Sequence, residues 1–254
     1  MLGIFGDSFT HIPEHRLRDK SRKDLSYLEI LNNKLNIHSK NYSMSATSIW
    51  YSYTNFIENY QKYDKIIFCY SSHLRWFYFK PDFKWLSNIG TQGKYVIPNM
   101  QGWTDEAKRV GTHFAEVYDY IFDENLQLYV YQKIFNDVNR ICKENKIQLC
   151  NIMPFETNEH LIDLSFRAGS CITSLHVVSL KESTTGKHFA EKLAFNLING
   201  KTHDPSFHHL NQINNMRLAD CVENNFNTNY IVDFSKYEGL DYSDNLLEFN
   251  YDCY

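Results

Sequence analysis

Glycine is scarce in this chain. Only ten of the 254 residues are glycine, whereas the usual frequency of about 7% would give nearly twice that number. Glycine is the residue that turns freely and lets backbones approach closely without a steric penalty. Each position that does hold a glycine therefore indicates a local need for that freedom.

Long apolar runs and a basic leader are also lacking. No apolar stretch reaches the ~18–20 residues of a membrane span, so no membrane association is expected. Residues 1–5 contain no basic side chain and are soon followed by the charged Asp7, which is not the pattern of a signal peptide. We therefore predict a cytoplasmic protein.

The net charge, the cysteines and the histidines exclude further classes of protein. The formal net charge is −4, and the most basic stretch, residues 16–23, is interrupted by Asp19, so no nucleic-acid partner is expected. The six cysteines form no Cys-x-x-Cys pair and are predicted to be reduced and mostly buried. His203, His208 and His209 lack an accompanying carboxylate cluster, so we expect no catalytic metal and no cofactor.

Apolar residues are nevertheless abundant enough for a packed core, at 43% of the chain. Apolar runs predict strands at residues 2–5 and 66–70. Residues 147–152 and 172–178 are predicted as a third and a fourth strand. Helical spacing of apolar residues predicts helices at residues 24–36, 46–62, 112–146 with a break near Asp123, 188–198 and 211–222. Asp24 is the predicted cap of the first helix. The predicted apolar stripes are Trp50, Tyr53, Ile57 and Tyr60 in the second helix and Tyr131, Phe135, Val138 and Cys142 in the third. This alternation of strands and helices is typical of a parallel α/β sheet.

Two segments depart from this pattern. Residues 73–104 show no clear period and are interpreted as an irregular insertion or lid. Residues 223–254 hold seven acidic residues, one lysine and eight aromatic residues. We predict one domain over residues 1–222, followed by a tail that either wraps the domain and buries its aromatic side chains or docks a protein partner.

The first segment with chemical potential is Gly6-Asp7-Ser8-Phe9-Thr10, directly after the first predicted strand. A serine in a sharp turn between a strand and a helix is an exposed nucleophile, and backbone N–H groups there can stabilise an oxyanion. The simpler interpretation is an ordinary turn in which Ser8 caps the following helix.

The second segment lies near the other end of the chain. Asp204 is followed by His208 and His209, just before a predicted helix. A histidine on such a loop could take the proton from Ser8, and a carboxylate could orient its imidazole ring. The simpler interpretation is a pair of surface histidines.

Together these segments resemble the SGNH (GDSL-type) hydrolase family, whose first block contains the nucleophilic serine and whose last block contains an Asp followed closely by the catalytic His. Residues 41–48 occupy the place of the family's second block, and residues 66–74 occupy that of its third. The segment from Ser45 to Arg75 is similar to divergent phage-encoded members. The resemblance implies a flavodoxin-like three-layer α/β/α sandwich with a central parallel sheet.

The resemblance also implies a set of catalytic residues. Ser8 corresponds to the nucleophile, His209 to the general base, with His208 as the alternative, and Asp204 to the supporting acid. The oxyanion donors are Ser8, Ser45 and His73, where Ser45 and His73 replace the family's usual Gly and Asn.

Two further residues are candidates for binding substrate, Asp7 and Arg75. Asp7 could instead brace the turn. Arg75 follows the third predicted strand, where it could clamp a carboxylate, a phosphate or a sugar hydroxyl group. A salt bridge at the strand end is an equal alternative for Arg75.

The expected activity is that of a serine esterase that cleaves an ester or O-acetyl group, on a small molecule or on a carbohydrate. The alternative is a catalytically impaired binding or structural protein of the same fold, such as a part of a phage particle or a host-interaction factor. The alternative rests on the changed second, third and last blocks and on the acidic aromatic tail. A phage origin would place the protein in the host cytoplasm or in the virion.

Overall fold

The computed structural model describes residues 1–7, 9–10, 26–44, 47–72, 76–79, 86–89, 123–155, 162–175, 177–178, 210, 212–226 and 228–242. Its strands are β1 (Leu2–Phe5), β2 (Ser39–Asn41), β3 (Lys65–Cys69), β4 (Trp76–Phe79), β5 (Leu86–Ile89), β6 (Gln148–Met153), β7 (Ser170–Thr173) and β8 (Ile231–Asp233). Its α-helices are α1 (Tyr27–Leu35), α2 (Ile49–Asn59), α3 (Glu124–Glu144) and α4 (Gln212–Asn225). Short 3₁₀ turns span Tyr60–Lys62, Leu164–Phe166 and Phe234–Lys236.

Six of these strands form one parallel sheet in the order β2-β1-β3-β6-β7-β8. Parallel pairing is recorded between every pair of neighbours, from β1 with β2 to β7 with β8. β1 has β2 on one side and β3 on the other. The chain therefore adds its second strand on one side of β1 and all later strands of this sheet on the opposite side. This order confirms the predicted parallel α/β fold with flavodoxin-like topology.

The helices cover both faces of the sheet because strand side chains alternate between them. One face packs against α1 and α4, and the opposite face packs against α2 and α3. The strand residues of the first face are Leu2, Ile4, Ile67, Cys69, Cys150, Ile152 and Ile172. Those of the second face are Phe5, Ile66, Phe68, Leu149, Met153 and Cys171. The result is the expected three-layer sandwich.

The helices lie close to their predicted positions, with a difference in one cap and at one stripe position. α1 is capped by Ser26 rather than by the predicted Asp24, and the side chains of Ser26 and Glu29 form a reciprocal capping box. α3 begins after Asp123 and buries the predicted stripe that includes Tyr131 and Phe135. α2 buries Ile49, Ser52 and Phe56 most completely. Its predicted stripe also faces the core, where Trp50, Tyr53 and Tyr60 are partly buried, and only Ile57 of that stripe is exposed.

Two strand predictions also need correction. The predicted strand at residues 172–178 is instead β7 over Ser170–Thr173, and Leu175 and Val178 lie in a helical turn. Inside the predicted irregular segment 73–104, β4 and β5 pair as an antiparallel ribbon. The aromatic and aliphatic residues of this ribbon alternate too weakly with polar ones to show a strand period. The predicted helix at residues 188–198 lies outside the described residues.

The predicted domain boundary at residue 222 does not coincide with a structural boundary. α4 continues to Asn225, and β8 joins the edge of the parallel sheet. Phe234, which directly follows β8, is fully buried in the core. Residues 228–242 therefore belong to the sheet structure, and residues 243–254 lie outside the described residues.

A pair of buried asparagines fixes α3 against the centre of the sheet. The side-chain amides of Asn139 on α3 and Asn151 on β6 exchange hydrogen bonds at 3.3 and 3.2 Å. Asn151 also accepts a bond from the Tyr70 hydroxyl group at 3.0 Å and donates to the Ser170 carbonyl group. Asn139 in turn accepts the N–H of Ala168 at 2.8 Å. Buried amides are tolerated because each polar group has a partner.

The described cysteines are free thiols buried in both helix–sheet layers. Cys69, Cys150 and Cys221 lie in the layer of α1 and α4, while Cys142 and Cys171 lie in that of α2 and α3. Burial raises the pKa of the Cys142, Cys150 and Cys221 thiols to about 12. The predicted burial of the cysteines holds for these five.

Replacing Asn151 with alanine tests the asparagine pair. The variant leaves the buried Tyr70 hydroxyl group and the Ser170 carbonyl group without that partner, so we expect the free energy of unfolding to fall by about 2–3 kcal/mol. Urea denaturation measures this change. The control is Asn33→Ala, at an exposed position of α1, which should change the unfolding free energy by less than about 0.5 kcal/mol. Equal effects of the two variants would contradict the assignment.

Candidate functional site

The carboxyl ends of β1 and β3 form the topological switch point of the sheet. In open parallel sheets, ligands bind in the crevice outside the carboxyl ends of the strands where the strand order reverses. Here β1 is followed by Gly6 and Asp7, and β3 is followed by Tyr70, Ser71 and Ser72. The predicted nucleophile segment therefore begins at the edge of the sheet where a site is expected.

Gly6 is required by close packing. A Cβ atom at this position would lie 2.2 Å from Thr10 Oγ1 and 2.6 Å from Cys69 Cβ. Among the described glycines, only Gly239 has a positive φ angle. The glycine at position 6 thus allows the turn to press against the end of β3, rather than supplying a left-handed backbone.

Asp7 is fully buried and braces the turn. Its Oδ1 atom accepts the backbone N–H of Phe9 at 3.1 Å and the Cys69 thiol at 3.8 Å. Its carbonyl oxygen accepts the N–H of Thr10 at 3.1 Å. A buried carboxylate needs such donors because leaving water is costly. These contacts agree with the bracing alternative for Asp7, and binding of substrate by Asp7 stays a prediction.

The segment that follows β2 lies directly beside this turn. Tyr42 N–H donates to the Ile4 carbonyl group at 2.8 Å, and Met44 N–H donates to the Gly6 carbonyl group at 3.3 Å. Asn41 donates its side-chain N–H to the Thr10 carbonyl group at 2.6 Å. The segments that resemble the first two family blocks are therefore in contact.

Most of the predicted site residues lie outside the described residues. They are Ser8, Ser45, His73, Arg75, Asp204, His208 and His209. Among their neighbours in the sequence, the structure describes Asp7 and Phe9 around Ser8, Met44 before Ser45, and Ser72 before His73. The catalytic and binding roles predicted for these residues stay predictions.

Aromatic side chains border the turn. Phe9 packs edge-on against Phe155, with ring centroids 5.7 Å apart, and only 8% of Phe9 is exposed. Phe155 follows the carboxyl end of β6, two strands away from β1. Phe9 therefore anchors the turn in the layer of α1 and α4, with Asp7 holding its backbone N–H.

A second polar cluster, which the sequence did not reveal, lies at the carboxyl ends of β7 and β8. Asp233 accepts hydrogen bonds from the Ser235 hydroxyl group at 2.7 Å and pairs with Lys236 at 2.7 Å. Ser174, with φ of 63°, directly follows β7. Partial burial opposes ionisation, but the interactions with Lys236, Ser235 and Ser174 outweigh it and lower the pKa of Asp233 to about 2.

Fold and site geometry together define a parallel α/β protein with a braced turn at its switch point. No family model matches the chain, and neither a curated protein nor a solved structure was found to be similar to it. Within the described ranges, no helix is long and apolar enough to cross a membrane. The same ranges contain no group of three His, Cys, Asp or Glu side chains that could hold a metal ion.

The packing of Gly6 predicts the effect of adding one methyl group there. Gly6→Ala should lower the free energy of unfolding by about 1–3 kcal/mol, because the new Cβ forces Thr10 and Cys69 apart. Chemical denaturation measures the loss. Lys40→Ala, at an exposed position of neighbouring β2, is the control and should change the unfolding free energy little. A Gly6→Ala protein as stable as the parent would show that the turn is looser than described.

The low pKa of Asp233 predicts a pH-dependent contribution to stability. A folded-state pKa of about 2, against about 3.9 in the unfolded chain, means that this contribution is present above about pH 4 and is lost as the pH falls toward 2. The difference in stability between the parent and Asp233→Asn should therefore shrink as the pH falls from about 4 toward 2. Thermal unfolding between pH 2 and pH 7 measures this difference, which is the stability gap.

The chain offers a matched control for this experiment. Asp163 accepts the N–H of Ser165 in a 3₁₀ turn of the same kind, but it is exposed. Asp163→Asn should give a smaller gap than Asp233→Asn. A gap for Asp233→Asn that stays constant with pH would contradict the lowered pKa.

Proposed function

We propose that the protein is a serine esterase that removes an acyl group from an ester or O-acetyl group, on a small molecule or a glycan. The observation that supports this proposal best is the turn from Gly6 to Thr10 at the switch point of the sheet. Asp7, which precedes Ser8, has a buried carboxylate that accepts the N–H of Phe9. Phe9, which follows Ser8, is also held by the contact of its ring with Phe155. A nucleophile needs this kind of rigid support.

In the proposed reaction, the Ser8 hydroxyl group attacks the carbonyl carbon of the ester while His209 takes its proton. The tetrahedral intermediate has a negative oxygen, which the donors of Ser8, Ser45 and His73 stabilise. Collapse of the intermediate breaks the ester C–O bond, and His209 returns the proton to the departing alcohol. Water then attacks the acyl-serine by the reverse path and releases the carboxylic acid.

The neighbouring segment after β2 supports the oxyanion part of the proposal. Tyr42 and Met44 continue the hydrogen-bonding pattern of β1 and β2 beyond the ends of the strands. Ser45 follows Met44 directly in the sequence, so the chain approaches the candidate nucleophile turn just before this residue. Asp204 would orient the His209 ring, and Arg75 would bind a polar group of the substrate.

The proposal predicts covalent labelling at Ser8. Purified protein should react with a fluorophosphonate probe and hydrolyse p-nitrophenyl acetate or acetylated glycans, and Ser8→Ala should reduce both signals to background because it removes the attacking oxygen. Mass spectrometry of the labelled peptide identifies the modified residue. Ser165→Ala, at an exposed serine ahead of β7, should behave like the parent.

The outcome of this experiment separates the esterase from its alternative. Equal turnover by the parent and Ser8→Ala would overturn the assignment of the nucleophile. A parent protein that is neither labelled nor active, yet folds as described, would favour the binding or structural protein of the same fold.

A further inference from the structure

A single side chain, Asn41, joins the turn after β1 to the segment after β2. Its side-chain N–H donates to the Thr10 carbonyl group at 2.6 Å, and its side-chain oxygen accepts the Ser43 N–H at 2.8 Å. The amide therefore uses its donor on one segment and its acceptor on the other. Thr10 and Asn41 are separated by 31 residues in the chain.

A second contact reinforces the first. The Thr10 hydroxyl group donates to Ser43 Oγ at 2.7 Å, and Thr10 Oγ1 also lies 3.2 Å from the Asp7 carbonyl oxygen. Thr10 is 1% exposed and Ser43 is 9% exposed, so water competes little for these bonds. Thr10 thereby contacts both segments, as Asn41 does.

These side chains act where strand pairing ends. The last paired residues of β1 and β2 are Ile4 and Asn41. Beyond them the backbone bond from Tyr42 to Ile4 is 2.8 Å, but the next one, from Met44 to Gly6, is 3.3 Å, which is long for an N–H···O bond. The shorter side-chain bonds of Asn41 and Thr10 reinforce the contact between the two loops where the backbone bonding weakens.

We propose that Asn41 and Thr10 are positioning residues that fix the nucleophile turn relative to the proposed oxyanion segment. The catalytic meaning of this inference rests on the proposed function, because Ser8 lies in the first segment and Ser45 follows the second. Neither positioning residue touches the reacting atoms. Their role is to keep the two segments at one separation during the reaction, since small displacements of a reacting group can cost up to about 10²-fold in rate.

The chemistry of the amide provides a sharp variant. Asn41→Asp keeps the shape and the acceptor for Ser43, but it replaces the donor with an oxygen that faces the Thr10 carbonyl oxygen. Thr10→Val likewise keeps the shape of the side chain and removes its hydroxyl group. Thr10→Ser retains the hydroxyl group and should restore the parent behaviour.

The first measurement is kinetic. With the fluorophosphonate probe, Asn41→Asp and Thr10→Val should label Ser8 about 10–100-fold more slowly than the parent, yet reach the same final stoichiometry. For ester hydrolysis, kcat should fall by a similar factor while KM changes less than about twofold, because transition-state geometry and not ground-state binding is altered.

A control at the other end of β2 separates positioning from general stability. Asn32 donates its side-chain N–H to Ser39 Oγ at 2.6 Å, and Ser39 is the first residue of β2. Asn32→Asp makes the same change from amide to carboxylate away from the candidate site, where the Ser39 hydroxyl group can donate to the carboxylate instead. It should leave the rate of labelling at the parent value.

The second measurement does not require activity. Hydrogen–deuterium exchange should accelerate in Asn41→Asp for peptides covering residues 6–10 and residues 42–48 together, and stay unchanged in peptides from α3. Asn32→Asp should not accelerate exchange in residues 6–10. If Asn41→Asp fails to fold, Thr10→Val with Thr10→Ser as its rescue gives the same comparison.

The two measurements distinguish failure of the inference from failure of the proposed function. A labelled parent whose Asn41→Asp and Thr10→Val variants react as fast as it does would overturn the inference and leave the esterase intact. An unlabelled parent would overturn the esterase, and hydrogen–deuterium exchange alone would then test the inference. Faster exchange in both residues 6–10 and residues 42–48 of Asn41→Asp would support the structural link between the two segments. Unchanged exchange in these residues would overturn it.

Discussion

The lack of space around Gly6 is the constraint on which the candidate site depends. Because the backbone at Gly6 lies against the end of β3, the following residues bend into the protein and Asp7 becomes fully buried. A buried carboxylate must find donors, and the N–H of Phe9 and the thiol of Cys69 are two of them. Packing at a single glycine is thereby linked to the hydrogen bonding of Asp7 and Phe9.

Polar interactions in the rest of the interior serve to fix geometry. The pair Asn139 and Asn151 joins α3 to β6 in one layer, while Asn41 joins two loops at the sheet edge. Each amide has a donor and an acceptor in use, so sliding either element would leave a buried polar group without its partner. Apolar packing holds the layers together, and these amides specify how the layers and loops are aligned.

The sequence predicted the buried centre of the fold well and its edges poorly. β1, β3 and β6 are mostly apolar, whereas the edge strand β2 is Ser39-Lys40-Asn41 and has no apolar residue. β8 is a three-residue edge strand inside a segment that composition marked as a tail. At the site, the Gly6 turn was recognisable because its signal is local. The role of Asn41 toward Thr10 was not, since it depends on two distant segments meeting.

The distribution of the buried thiols has a practical consequence. Cys221 on α4 lies in one layer of the sandwich, and Cys142 on α3 lies in the other. A thiolate is the reactive form, and a pKa of about 12 leaves almost none in the native protein at neutral pH. Modification by a thiol reagent must therefore wait until the helix that carries the cysteine moves away from the sheet. The order in which these two cysteines react would report which layer of the protein opens first, without an introduced cysteine.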